Sequence, residues 1–122
     1  NGIRKVNLLI EDELGQAELT VLAFPGDVGG RLANINRWRE QIGLKAASLE
    51  TLTKITEPYI ISQHNGFYVR LEGDNKSILG AMLPFHNYTW FFKLLGDTST
   101  VLANEAKMKD FIDSVRLQDR HH

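Results

Sequence analysis

Two neighbouring stretches of this chain are apolar on both faces. Between residues 77 and 85, Leu79, Ala81 and Leu83 alternate with Ile78, Gly80 and Met82; between 88 and 95, Trp90, Phe92 and Leu94 alternate with Phe91 and Leu95. A strand that backs onto water shows one polar face. These two show none, so they belong in the middle of a sheet with a layer packed on each side. His86-Asn87 between them is short enough to join them as an antiparallel hairpin. Whatever else the chain does, it must cover this pair twice.

The other segments supply the cover and the flanking strands. Residues 3–10 and 17–24 read as strands around the charged turn Glu11-Asp12-Glu13-Leu14-Gly15. Glu11, Asp12, Glu13 and Glu18 form a local acidic patch there, of the kind that discourages edge pairing. Residues 54–63 are extended but carry Pro58, which predicts an edge position or a bulge. Asn65-Gly66 is a tight-turn signal, and Phe67, Val69 and Leu71 then alternate with polar neighbours. Ala46 to Leu52 suits a short helix with Ser48 as its cap. After Gly96, Asp97 or Thr98 can cap a final helix of about five turns, whose stripe is Val101, Met108, Phe111, Ile112 and Val115. Phe111 and Trp90 are both expected in the core. The expected order is β-β-α-β-β-β-β-α, an α+β fold built as an α/β/α sandwich with a mainly antiparallel sheet.

The first covering helix follows Phe24-Pro25-Gly26-Asp27-Val28-Gly29-Gly30. Pro25-Gly26 suits the centre of a type II turn, and Asp27 can cap a helix starting near Val28 or Gly29. Gly29 and Gly30 are poor helix formers. Their place in a first turn predicts something close to the backbone: a neighbouring segment, or an anion on the helix amides. Neither G-x-x-x-x-G-K-[ST] nor G-x-G-x-x-G occurs, so a phosphate loop has no support. At about 100° per residue, Leu32, Ile35, Trp38 and Ile42 form an apolar stripe extended by Val28. Asn34, Arg37 and Gln41 fall on the opposite side. Arg39 projects into the stripe and needs a partner. Loop carbonyls or a carboxylate from Asp27, Glu57 or Asp97 would satisfy it as a structural clamp; the other reading is an Arg that faces a ligand. Trp38 suits a core anchor and an exposed recognition aromatic equally. Gly43 is placed to end the helix as C′.

The chain of 122 residues is one domain's length. It has 14 basic and 15 acidic residues, a net charge of −1 and no cysteine. The balance argues against a nucleic-acid partner, and the missing thiols exclude disulfides and thiolate metal sites. No apolar run is long enough to be a membrane span. The chain starts at Asn1, compatible with removal of a leader, and His121-His122 resembles the stub of a purification tag.

The segments Phe24 to Gly30, Leu32 to Leu44, Thr89-Trp90-Phe91-Phe92-Lys93-Leu94-Leu95-Gly96-Asp97 and Phe111-Ile112-Asp113-Ser114-Val115-Arg116 together resemble a group of bacterial proteins of unknown function. The group is similar in outline to the PsbP-like superfamily, whose members include a photosystem accessory protein and a nuclear-import factor that binds a small GTPase. The resemblance covers nearly the whole chain. It implies a single PsbP-like α/β/α domain over residues 1–120, export to an extracytoplasmic or periplasmic place, often with a lipid anchor outside this sequence, and binding or assembly rather than an activity. It carries no functional residue with it, because the group has no established site, and fold alone does not transfer function.

No HExxH, GxSxG or EF-hand pattern occurs, so no catalytic residue, metal ligand or cofactor is assigned. His64 and His86 are far apart in sequence, each near an expected turn, and read as solvated loop histidines. The expected contact surface is the Gly29–Gln41 helix: Gly29, Gly30, Asn34, Arg37, Trp38, Arg39 and Gln41. Two functions compete for it. The first is a non-catalytic binding or assembly domain for an unidentified protein partner. The second is a site for a small anionic ligand, a carboxylate or phosphate, in a binding protein or an enzyme. A flat or packed helix favours the first; a deep polar pocket at the helix favours the second.

Overall fold

The computed structural model describes residues 3–118; the two terminal histidines lie outside them. In chain order the elements are β1 (Ile3–Asp12), β2 (Gly15–Pro25), α1 (Gly30–Gln41), α2 (Leu49–Ile55), β3 (Thr56–Ile61), β4 (His64–Glu72), β5 (Lys76–Phe85), β6 (Tyr88–Asp97), α3 (Thr98–Ala103) and α4 (Glu105–Ser114). The six strands form one sheet in the order β1-β2-β6-β5-β4-β3, antiparallel throughout. The doubly apolar pair, β5 and β6, occupies the two central places, and β3 with its Pro58 is an edge.

Alternate residues of the central strands feed two separate cores. On one face Ile35 and Trp38 of α1, Ile42 at its C-cap and Leu52 of α2 pack on Val69, Leu71, Ile78, Met82 and Phe91. On the other, Val101 of α3 with Met108 and Ile112 of α4 packs on Ala17, Leu19, Val21, Leu79, Ala81, Leu83, Phe92 and Leu94. The molecule is a mixed α+β fold with helices on both faces of an antiparallel sheet. The buried core under the first helical layer draws on β4, β5 and β6, with Phe24 of β2 partly buried at its margin. That offset leaves part of the sheet face open beside α1.

Four local expectations need correction. The expected five-turn final helix is two helices, because Asn104 leaves the helical path and turns its side-chain amide back onto the Thr100 carbonyl at 2.8 Å. The turn expected at Asn65-Gly66 lies instead at Ser62-Gln63, both with positive φ. Gly66 sits inside β4, where an added Cβ would stand 2.7 Å from the Met82 carbonyl oxygen, so its role is close backbone approach. Neither Asp97 nor Thr98 caps α3 through a side-chain bond to its backbone amides: Asp97 accepts from Lys76 and from the Gln16 amide. Phe111 and Trp90 are half-buried at the margin of their core, while Ile112 is fully enclosed. Ile112→Ala is therefore expected to destabilise by about 2–5 kcal/mol and Phe111→Ala by clearly less, as denaturant melts of the two variants would read.

Candidate functional site

The turn into α1 is set by backbone conformation. Gly26 has φ 77°, as the third residue of a type II turn requires. Its amide donates to the Asn87 carbonyl at 2.7 Å and its carbonyl accepts from Thr89 Oγ1 at 2.6 Å, which pins the turn to the β5–β6 hairpin. Val28, Gly29 and Gly30 follow with φ of 53°, 86° and 87°. Gly29 and Gly30 are there for this left-handed path and not for close approach: an added Cβ meets nothing within 4 Å at Gly30 and only Ala33 at 3.6 Å from Gly29. Asp27 does not cap from the N-cap position, which is Gly29. Its carboxylate accepts from the Gly29 amide at 3.2 Å and its carbonyl from the Gly30 amide at 3.0 Å. The two amides that could have met an anion are thus bonded to Asp27. Val28 is the odd member, since a β-branched residue at positive φ is strained by about 1–3 kcal/mol.

At its other end α1 closes as expected. Gly43 has φ 80°, its amide donates to the Glu40 carbonyl, and the Leu44 amide donates to the Arg39 carbonyl at 2.8 Å, the paired bonds of a Schellman motif. Arg39 Nε donates to the Lys45 carbonyl at 2.6 Å. It is the loop clamp, held by a backbone carbonyl, while Asp97, one of its expected carboxylate partners, is engaged by Lys76. Arg39→Lys should lose that Nε bond, and Arg37→Ala, which leaves the buried Asn34 oxygen without its donor, should cost about 1–3 kcal/mol. An Arg39→Lys melt within about 0.5 kcal/mol of the unaltered protein, as for a surface substitution, would contradict the clamp.

The flank of α1 expected to face solvent does not all do so. Asn34 is 1% exposed. Its amide donates to the Gly30 carbonyl at 2.6 Å and its oxygen accepts from Arg37 at 2.5 Å. This flank turns towards β2 and β6 rather than away from the sheet. Between them lies a crevice of about 330 Å³, lined by Thr20, Leu22, Phe24, Val28, Asn34, Arg37, Trp38, Gln41, Phe91 and Lys93. Trp38 is a core anchor with one side on the crevice: it is 5% exposed, it meets Phe91 edge-on at 6.1 Å, and it rests on Gly80. Phe24 meets the same Phe91 edge-on at 5.9 Å.

The sheet floor under the crevice is ordered by register. Lys93 pairs with Thr20 on one side and Gly80 on the other. The neighbouring row is Phe91 beside Leu22 and Met82. One polar row thus runs beside an apolar one. Lys93 Nζ donates to Gln41 Oε1 at 3.0 Å, tying the floor to α1. Burial lowers the Lys93 pKa below the usual lysine value, and the Glu18 carboxylate pulls the other way. Both charged residues of the lining, Arg37 and Lys93, are cations.

Four of the expected site residues, Asn34, Arg37, Trp38 and Gln41, come together here; Gly29, Gly30 and Arg39 are not in the lining. Sequence reasoning missed Lys93 and Thr20. Lys93 carried a signal, as a lone cation between Phe91 and Leu95 on a strand otherwise buried on both faces.

Elsewhere, Tyr68 donates to Glu105 at 2.8 Å and Arg70 to Glu105 at 2.5 Å, fastening β4 to α4. Burial, with Glu105 as acceptor, pushes the Tyr68 hydroxyl far above its ordinary value. His64 and His86 both stack edge-on against Phe85. Among the described residues no group of three His, Cys, Asp or Glu side chains is arranged to hold a metal ion, and no helix is long and apolar enough to cross a membrane.

No family model matches the chain, and no curated protein matches it. A solved structure does: PA94 of Pseudomonas aeruginosa, a protein of unknown function and proposed regulator, with a TM-score of 0.61 over 98% of this chain and 85% of that one. The two sequences are 8% identical, so the likeness is one of fold, and it carries no residue of the crevice from one protein to the other.

Proposed function

We propose that the protein is a non-catalytic binding domain whose ligand is a small organic anion with an apolar body, seated in the crevice between α1 and strands β2 and β6. The observation that carries this reading is the lining: among the described residues, two cations and no carboxylate, set around Leu22, Phe24, Val28, Trp38 and Phe91. A carboxylate suits Lys93 and Arg37, and the aromatic walls suit a ring or branched chain. The volume of about 330 Å³ lies at the lower end of small-molecule sites. A concave crevice favours a small ligand over the flat contact that a protein partner would take. Among the described residues the lining offers neither a carboxylate nor a histidine as general base, which favours binding over turnover. The reading fits the PsbP-like resemblance, under which the domain is an exported accessory protein that acts by binding.

Calorimetric titration with phenylacetate tests it. Binding is expected at Kd of about 1 mM or tighter, in line with a ligand of this size. The neutral 2-phenylethanol should bind at least about tenfold more weakly, a difference of about 1.4 kcal/mol. Lys93→Met should bring the two ligands together. The pH dependence has a definite sign. The Lys93 pKa is lowered, so anion binding declines as pH rises through a value below that of ordinary lysine. Stability moves the other way: the unfolded chain holds this proton more tightly, so the cost of burying the charge is relieved as pH rises from the folded value towards 10.5. Equal affinity for the two ligands in the unaltered protein would contradict the reading.

A further inference from the structure

We propose, resting on the anion reading of the crevice, that its ligand is a 2-hydroxy acid with an aromatic or branched body, and that Thr20 reads the hydroxyl group of that acid. Among the described residues five polar side chains are buried: Thr20, Asn34, Ser77, Thr89 and Thr100. Four of them are bonded within the fold. Asn34 bonds Gly30 and Arg37, Ser77 bonds Thr98 and the Gly73 amide, Thr89 bonds the Gly26 carbonyl, and Thr100 bonds Asp12. Thr20 is the exception. It is 9% exposed, and its hydroxyl meets no partner among the described residues. No fully enclosed side-chain nitrogen or oxygen is left unpaired among those residues, so the Thr20 oxygen opens onto the crevice that the residue lines. In a core an unpaired hydroxyl is a cost; at the wall of a crevice it is a hydrogen bond left for a ligand.

Register fixes what stands beside it. The row across the sheet is Asn7, Thr20, Lys93 and Gly80. Thr20 and Lys93 are therefore directly opposed, and such side chains leave the sheet about 4.5–5.5 Å apart. They then differ in height. Lys93 carries its ammonium up to Gln41 of α1 at 3.0 Å, while threonine ends at its hydroxyl, close to the floor. A carboxylate held by Lys93 and Arg37 thus has Thr20 beneath it, in reach of a group on the next carbon. An ammonium group there, as in an amino acid, would stand against two cations; Glu18, the carboxylate that acts on Lys93, is outside the lining. A 2-oxo oxygen only accepts. A hydroxyl both donates and accepts, as threonine's does, so it can bond Thr20 and still accept from the ammonium, which has three donors.

Calorimetric titration with the two enantiomers of mandelate, set against phenylacetate and phenylglycine, decides between these groups. One mandelate enantiomer should bind about tenfold more tightly than phenylacetate, the effect of one added hydrogen bond, and at least about fivefold more tightly than its mirror image. Phenylglycine should bind more weakly than phenylacetate. Thr20→Val nearly keeps the shape and removes the hydroxyl, and should bring both mandelate ratios close to one. The variant also reports without ligand. With no internal bond to lose, it should melt no earlier than the unaltered protein. An earlier melt, phenylacetate bound with no preference for either mandelate, a preference that survives Thr20→Val, or phenylglycine bound more tightly than mandelate would overturn the assignment of Thr20 and leave the anion reading standing. Binding of none of the four compounds would overturn both.

Discussion

Trp38→Ala is expected to destabilise the protein by about 3–5 kcal/mol, the range for removing a large buried aromatic. The indole is 5% exposed, and its ring lies where a side chain of Gly80 would be: an added Cβ there would stand 2.3 Å from Trp38 Cζ3. The tryptophan thus fills a slot that the central strand leaves open. Gly80→Ala should show the converse. It forces the indole out of its seat, costing about 1–3 kcal/mol by overpacking, and pushes it against the Phe91 side of the crevice, so anion binding should fall with stability. Denaturant melts of both variants check this. A shift of Trp38→Ala within about 0.5 kcal/mol, as for a surface substitution, would show that α1 is not anchored through this ring.

Gly96→Ala is expected to cost about 3 kcal/mol or more, the upper end of overpacking effects. Here an added Cβ would stand 2.3 Å from the Gln16 carbonyl oxygen and 2.4 Å from Ala17 Cα. Both belong to the backbone of β2, paired with Gly96 through Ala17. A side chain can rotate away from a clash, but a paired strand can move only by opening the ladder. Gly43→Ala is the comparison, because its Cβ would meet nothing within 4 Å and only its φ of 80° opposes it. Its cost should be about 1–2 kcal/mol, the ordinary penalty for a left-handed non-glycine residue. Similar melts for the two variants would contradict the close contact of β2 and β6.

The architecture was legible because burial on two faces leaves few arrangements. Residues 78 to 83 and 90 to 95 had to be central, and the structure places β5 and β6 there. Gly43 and Ser48 were legible because each end of a helix asks for a particular residue, and both sit where expected, the second accepting from the Thr51 amide. Turns were read less well. Ser62-Gln63 takes a left-handed path without glycine, while Asn65-Gly66, with the better signal, lies within a strand. Propensity there yields to the close passage of Met82 past Gly66. The site was half legible. Helical phase brought Asn34, Arg37 and Gln41 together, but phase is internal to one helix. Whether that flank meets water or a sheet depends on how far α1 covers the strands, which only the assembled molecule decides. Lys93 and Thr20 complete the crevice from strands distant in sequence, joined by a β2–β6 register that no local pattern encodes.

Chemical-shift mapping is the most direct test of the crevice. Titrating phenylacetate into isotopically labelled protein should move the backbone signals of Thr20, Asn34 and Lys93 and the indole signal of Trp38 together, along one saturation curve, with Lys93→Met flattening it. The Tyr68 and Glu105 signals, on the other face of the sheet, should stay still. Shifts confined to that other face, or crevice signals unmoved at ligand concentrations well above 1 mM, about −4 kcal/mol of binding, would contradict the account.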